Sequence, residues 1–275
     1  MTDTTLSFIG SGNMTGSLVG GLIADGWDPA RIRASDPDAQ QLERLQQRHP
    51  IFTTTDNSEA VATTDVVVLA VKPQLMKTVA LELAEMIARQ QSLVISIAAG
   101  IREPDLRGWL GGQTAIVRTM PNTPALVQSG ATALYANPFV SEDQRSIAES
   151  ILRAVGLTVW VDDEGMMDAV TALSGSGPAY FFLLIESLRK AGRELGLPED
   201  IARLLALQTA FGAARMALES NEDAATLRRR VTSPGGTTEV AIEVLQDGGF
   251  EALVLAALEA ATDRSRELGD QLGAS

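Results

Sequence analysis

The sequence predicts an α/β protein: a doubly wound parallel sheet over residues 1–162, followed by an all-α half over residues 163–275. Three observations predict it. Short apolar, β-rich runs alternate with helical stretches through the first half. One of these runs, Val66 to Val71, is apolar without a break, as expected of a strand covered on both faces. After Asp162 the β-rich runs stop, and the later breaks are Gly and Pro punctuation between helical stretches.

The elements follow in order. Leu6–Ile9 reads as a strand, Ser17–Ala24 as a helix with Leu18, Leu22 and Ile23 apolar, and Ile32–Ser35 as a second strand. Ala39–Arg48 is a polar helix, Asp65–Val71 a buried strand, and Thr78–Ala88 a helix. Ser92–Ala98 and Thr114–Arg118 read as further strands. Ala131–Tyr135 and Leu157–Val161 add strands around a helix at Glu142–Ala154. The second half reads as helices over Ala179–Leu195, Glu199–Glu219, Ala224–Arg230, Thr238–Gln246 and Glu251–Leu268. Between Ala202 and Ala217, Leu204, Leu205, Leu207, Phe211 and Met216 make a helix apolar nearly all round, which must be buried on most sides. A helical domain of that size has little interior, so a second subunit is expected to cover the remainder.

Composition excludes several functions. The formal net charge of −13 repels phosphate backbones, so no nucleic-acid partner is expected. The absence of cysteine removes disulfides, thiolate nucleophiles and Cys-ligated metals, and no metal site is expected. The one histidine, His49, precedes Pro50 at the polar end of a helix and reads as a surface residue, so the chemistry is expected to run without a histidine acid or base. Residues 1–6 lack the basic and apolar pattern of a signal peptide, and no apolar run was expected to approach the ~20 residues of a spanning helix. A cytoplasmic protein with no membrane partner is therefore expected.

The chemistry begins at Ile9-Gly10-Ser11-Gly12-Asn13-Met14, a strand, a glycine-rich turn and a helix entry. Gly10 permits the tight turn, and Gly12 lets the backbone approach a pyrophosphate lying on the helix amides. The third small position holds Thr15, somewhat large for close packing. Asp36 closes the second predicted strand, where a dinucleotide fingerprint carries its acid. The first half is thus a Rossmann domain expected to bind a dinucleotide. An acid at Asp36 favours NADH by accepting from the ribose hydroxyl and repelling a 2′-phosphate, whereas Ser35, Asn57 and Arg33 suit a 2′-phosphate. Asp36-Pro37 also fits a helix entry.

In the second half, Ser174-Gly175-Ser176-Gly177-Pro178 and Ser233-Pro234-Gly235-Gly236-Thr237-Thr238 each place hydroxyls and amides where a helix is expected to begin. Together they suggest a pocket for a carboxylate. Lys72 stands just past the carboxyl end of a predicted strand, where open α/β sheets bind ligands.

With these segments assembled, the chain resembles the pyrroline-5-carboxylate reductases from end to end. The resemblance rests on Ile9–Met14, Ala70–Pro73, Ser96–Gly100, Arg118–Pro124, Leu173–Tyr180 and Thr232–Thr238. It implies reduction of Δ1-pyrroline-5-carboxylate to L-proline, usually with NADPH, by a Rossmann domain joined to a helical dimerisation domain. It also implies a homodimer and, beyond it, a decamer built of dimers. Carried over by position, Ile9, Gly10, Ser11, Gly12, Asn13, Met14, Ser35, Pro37, Asn57, Ala70, Val71, Lys72, Pro73, Ile97, Ala98 and Ala99 would line the cofactor, with Asp36 beside them. Ser233, Gly235, Gly236, Thr237 and Thr238 would hold the substrate carboxylate, with Ser176 and Glu164 near it. Thr238 is the candidate for bonding the ring nitrogen, and Lys72 for organising the site. The family often carries a non-acidic residue where this chain has Asp36, so NADP is the cofactor expected by resemblance and NAD the one favoured by that acid.

Two rival readings stand beside this one. A β-hydroxyacid dehydrogenase or another imine reductase shares the plan, but the former usually carries a catalytic lysine in its helical domain. Here Lys190 is the only lysine after Lys77 and lies mid-helix among polar neighbours. A non-catalytic NAD(P)H-binding regulator would have no need of two serine- and threonine-rich helix entries.

Overall fold

The computed structural model describes residues 3–274. Its first strands and helices are β1 (Leu6–Ile9), α1 (Asn13–Ala24), β2 (Ile32–Ser35), α2 (Ala39–Arg48), β3 (Phe52–Thr54) and α3 (Asn57–Val61). They are followed by β4 (Val66–Leu69), α4 (Met76–Gln90), β5 (Leu93–Ser96), α5 (Glu103–Leu110), β6 (Ile116–Met120), β7 (Gly130–Ala136), α6 (Glu142–Arg153) and β8 (Gly156–Trp160). The remainder is helical: α7 (Met166–Val170), a π-helical turn (Thr171–Gly175), α8 (Gly177–Glu194), α9 (Glu199–Glu219), α10 (Ala224–Arg230), α11 (Thr237–Asp247) and α12 (Phe250–Gly273).

The eight strands form one sheet in the order β3-β2-β1-β4-β5-β6-β7-β8. Neighbours are parallel except β6 and β7. Alternation in β4 divides the core: Val66 and Val68 face the layer holding α1 and α6, whereas Val67 and Leu69 face the layer holding α4 and α5. All four are buried, which is why this strand reads as an unbroken apolar run.

Four short elements escaped the sequence pattern. β3 is three residues long with an exposed Phe52, and α3 and α7 are five residues each. None is long enough to show a period. In α5, Pro104 sits in the first turn and Gly108 near the end, so its composition reads as loop.

The chain divides into two compact units. One takes in the chain up to Ser176 and again from Ala261 onward; the other runs Gly177–Ala260. The change from strand to helix near residue 162 therefore differs from the division of packing, because α7, the π-helical turn and the last part of α12 all pack with the sheet unit.

Two corrections concern the helical half. Met166–Glu194 and Glu199–Glu219 are long and apolar enough to cross a membrane by length and composition, contrary to the expectation that no run approached that length. They pass because Ala, Leu and Phe dominate their central turns. The second correction is at Ser174–Pro178, which is not a free helix start. The chain is already helical from Met166, and the Ser176 amide donates to the Thr171 carbonyl at 2.8 Å. Pro178 supplies the reason. It has no N–H to give the Ser174 carbonyl and its ring crowds that carbonyl in a regular α-helix, so the chain widens there into a π turn.

Candidate functional site

The sheet unit places a glycine turn at the point where strand order reverses. β1 lies between β2 and β4, so the chain leaves it on both sides, and ligands of open α/β sheets bind outside the strand carboxyl ends at such a point. The turn is built for close approach. Gly10 has φ +102°, and a Cβ there would stand 2.6 Å from the Ala70 carbonyl oxygen. Its amide donates to the Ser35 carbonyl at 2.8 Å, and the Ala70 amide donates to the Ile9 carbonyl at 2.8 Å. Thr15, somewhat large for that position by sequence, is fully buried and closes the turn by donating its hydroxyl to the Gly10 carbonyl at 2.7 Å.

The same region has room for an anion. No atom lies within 4 Å of where a Cβ of Gly12 would stand. Gly12 caps α1 without a side-chain bond, so the first amides of that helix face outward. The Ser11 hydroxyl is buried and lacks a hydrogen-bond partner. A phosphate on the helix dipole fits these features.

Asp36 has a definite structural task. Its carboxylate accepts the Ser11 amide at 2.8 Å through one oxygen and the Asp38 amide at 2.9 Å through the other. The capping of α2 falls to Asp38, which accepts from Gln40 and Gln41. Beside it the Ser35 hydroxyl donates to the Asn57 side-chain carbonyl at 2.8 Å, and the Asn57 amide group lies 3.4 Å from the Glu82 carboxylate.

The expected cofactor residues thus share one rim. Ile9 to Met14 follow β1, Ser35 to Pro37 follow β2, Ala70 to Pro73 follow β4, Ile97 to Ala99 follow β5, and Asn57 opens α3. Lys72 precedes the single helical turn Pro73–Leu75.

Another expected site residue, Glu164, helps hold the sheet unit together. Glu164 accepts from the buried Arg118 guanidinium at 2.8 Å and from the Glu103 amide at 2.5 Å. Glu103 in turn pairs with Arg107 at 3.0 Å and accepts from Asn137 at 2.9 Å. Tyr135 is pushed above the ordinary tyrosine range, chiefly by burial and then by Glu103, Glu164 and Asp163. Near Ser176, Asn122 donates to the Ser174 carbonyl and hydroxyl at 3.3 Å each and accepts the Ala131 amide at 2.9 Å. Asn122 therefore meets the carbonyl that Pro178 cannot. The sequence offered Arg118–Pro124 and Leu173–Tyr180 as separate motifs, and nothing in their spacing announced that they touch.

The second unit carries Ser233–Thr238. The Gly235 amide donates to the Glu239 carboxylate at 2.6 Å, and the Gly236 amide donates to the Ser233 carbonyl at 2.9 Å. Those two amides, expected to meet a substrate carboxylate, are engaged within the loop. Thr237 and Thr238 open α11, in the first turn, where helix amides have no partner within the helix. Lys190 is half exposed and pairs with Glu186 at 2.7 Å, so it is a surface ion-pair lysine.

The fold and the turn define a dinucleotide-binding oxidoreductase of the Rossmann class. Residues 5–100 match the family described as NADP oxidoreductase, coenzyme F420-dependent, and residues 164–268 match pyrroline-5-carboxylate reductase dimerisation. A pyrroline-5-carboxylate reductase of Pseudomonas aeruginosa is 55% identical over 273 residues, which is 99% of this chain and 100% of the relative. The chain belongs to the pyrroline-5-carboxylate reductase family. A relative of the same name from Synechocystis sp. is 42% identical across 96% of this chain and 98% of its own. A pyrroline-5-carboxylate reductase structure from Coxiella burnetii is 48% identical and superposes with a TM-score of 0.94 over 97% of this chain and 99% of that one. A Plasmodium falciparum pyrroline carboxylate reductase structure with NADP bound is 30% identical, with a TM-score of 0.85 over 98% and 99%.

Both long apolar helices fall largely within the matched dimerisation region. Their outward residues include Phe181, Phe182, Leu204, Leu205 and Phe211, each more than half exposed in a single chain. Exposed apolar surface of that kind accords with self-association through the matched dimerisation region.

Proposed function

We propose that this chain reduces the C=N bond of Δ1-pyrroline-5-carboxylate to give L-proline, with NADPH as hydride donor. The observation that carries this reading is the 55% identity to a pyrroline-5-carboxylate reductase across 99% of the chain, joined to a glycine turn at the switch point of the sheet.

Bound reduced nicotinamide supplies hydride to the imine carbon. The chain's own groups bind and orient. Ile9 to Met14 receive the pyrophosphate on the α1 amides. Ser35, Asp36, Pro37 and Asn57 meet the adenosine ribose, while Ala70 to Pro73 and Ile97 to Ala99 line the nicotinamide end. Lys72 supplies positive charge at the rim. Thr237 and Thr238 offer amides to the substrate carboxylate, within the loop framed by Ser233, Gly235 and Gly236. The Thr238 hydroxyl bonds the ring nitrogen, stabilising the charge that changes during transfer. An iminium enters already protonated, so a histidine or cysteine acid is not required. Glu164 and Ser176 act from behind, through Arg118 and the π-helical turn. NADH serves as an alternative donor to the extent that Asp36 disfavours a 2′-phosphate.

The working form is a homodimer, with a decamer of dimers as the larger assembly, acting in the cytoplasm without nucleic-acid or membrane partners. The dimerisation match and the exposed apolar helices support the first of these, and the crystal structures of relatives are in keeping with the last.

The test is oxidation of NADPH by the purified chain with and without Δ1-pyrroline-5-carboxylate, with L-proline measured as product. Substrate-dependent oxidation yielding stoichiometric L-proline is expected. NADPH binding with no turnover would instead indicate a cofactor-sensing regulator, and turnover of a β-hydroxyacid alone would indicate a dehydrogenase.

A further inference from the structure

The last part of α12, from Ala261 on, packs with the sheet unit against the loop that follows β5. That contact is built from several independent features. Arg102 donates to the Asp270 carboxylate at 2.6 Å and to the Arg266 carbonyl at 3.1 Å. Asp270 accordingly holds the Arg102 guanidinium above its ordinary range. Leu272 packs into the buried cluster containing Ala98, Ile101 and Leu106. The Ser265 hydroxyl donates to Asp168 at 2.6 Å.

Three glycines make the approach possible. A Cβ on Gly269 would stand 2.9 Å from the Arg102 guanidinium, and one on Gly273 would stand 2.5 Å from the Asp105 carboxylate. Gly100 has φ +76°, and a Cβ there would meet the Leu272 side chain at 3.0 Å. Gly269 and Gly273, the latter closing α12, lie four residues apart on one helix face, against Arg102 and Asp105. The loop so held, Ile97 to Gly100, ends the strand beside β4 and carries three of the residues assigned above to the nicotinamide end of the cofactor.

We propose that residues 261–273 form a positioning strap for the Ile97–Gly100 loop, with Arg102 and Asp270 as its lock, so that the end of α12 sets the affinity for the nicotinamide cofactor without touching it. This rests on the functional reading above. The physical basis is preorganisation: a loop that must be ordered on binding subtracts its ordering entropy from the affinity.

The test compares the intact chain with Asp270→Asn, with Arg102→Gln, with the exchanged pair Arg102→Asp/Asp270→Arg, and with a chain ending at Leu268. Direct titration of NADPH should give a Kd raised about tenfold in the shortened chain and about threefold in each single variant, with recovery in the exchanged pair. Turnover at saturating NADPH should change by less than about twofold. If the shortened chain does not fold, the single variants carry the same readout. An unchanged Kd alongside a lowered Tm would make the strap merely structural and overturn the proposal. Hydrogen exchange at the Ile97–Ala99 amides supplies a readout that needs no cofactor. It should speed up in Asp270→Asn, and unchanged protection there would also overturn it. Failure of the intact chain to bind NADPH would count against the functional reading alone, and the exchange measurement would still decide the strap.

Discussion

Asp36 accepts the amide of Ser11 at 2.8 Å, which ties the end of β2 to the glycine turn that follows β1. The acid is thus a structural member of the turn and, on the proposed function, a negative charge beside the adenosine ribose. Asp36→Ser removes the charge and one bond to the turn. The ratio of kcat/KM for NADPH over NADH should rise roughly tenfold, about the worth of one charge-assisted hydrogen bond to the ribose. Steady-state kinetics with both cofactors checks this, and an unchanged ratio would leave Asp36 with the structural task alone.

Gly10 has no tolerance for a side chain, because φ is +102° and the nearest atoms are backbone. Gly10→Ala should destabilise the sheet unit by more than about 1 kcal/mol and weaken dinucleotide binding together. Thermal unfolding and cofactor titration on the same sample check both.

Thr238 is placed in the first turn of α11, where helix amides have no partner within the helix. Thr238→Ala should lower kcat/KM for the imine by ~1–3 kcal/mol, with the cofactor Kd unchanged. Equal kinetics in the variant would remove this hydroxyl from the reaction.

Asn122 accepts the Ala131 amide and donates to the Ser174 hydroxyl and to the Ser174 carbonyl, for which Pro178 has no N–H. These bonds are only partly buried, so Asn122→Ala should cost on the order of 1 kcal/mol for each and lower Tm by a few degrees. Asn122→Asp keeps the acceptor for Ala131 and loses the donor to Ser174, so its Tm should fall between the two. Differential scanning calorimetry orders the three.

His49 is held below its ordinary value of 6.5, first by burial and then by the charge of Arg48. The unfolded chain therefore binds its proton more readily than the folded one. The sign follows: the contribution is intact above the unfolded pKa and is lost as pH falls through it toward the lower folded value. Between about pH 7.5 and about pH 5.5, His49→Gln should lose roughly 1–3 °C less in Tm than the parent chain. Identical pH slopes would show that the imidazole carries no such linkage.

The legible part of this protein was whatever has a local period or a local rule. The buried run at Val66 to Leu69, the polar period of Ala39–Arg48 and the apolar helix Glu199–Glu219 follow from side-chain spacing, and their bounds or cores appear in the structure as expected. The glycine turn after β1 and the strand ends beside it were legible because they are written in neighbouring residues. Elements of three to five residues were not, since a period cannot show in one turn.

What the sequence alone determined, then, is the alternation of strand and helix, the glycine turn, the absence of thiol chemistry and the apolar helices that call for a second subunit. Only the tertiary structure decided that Glu164 belongs to Arg118, that Asn122 serves Ser174, and that the end of α12 packs beside Gly100. The physical reason is range. Propensity and pattern act over a few residues along the chain, whereas a buried carbonyl or guanidinium takes whichever partner the packed sheet and helices bring within about 3 Å, however distant in sequence.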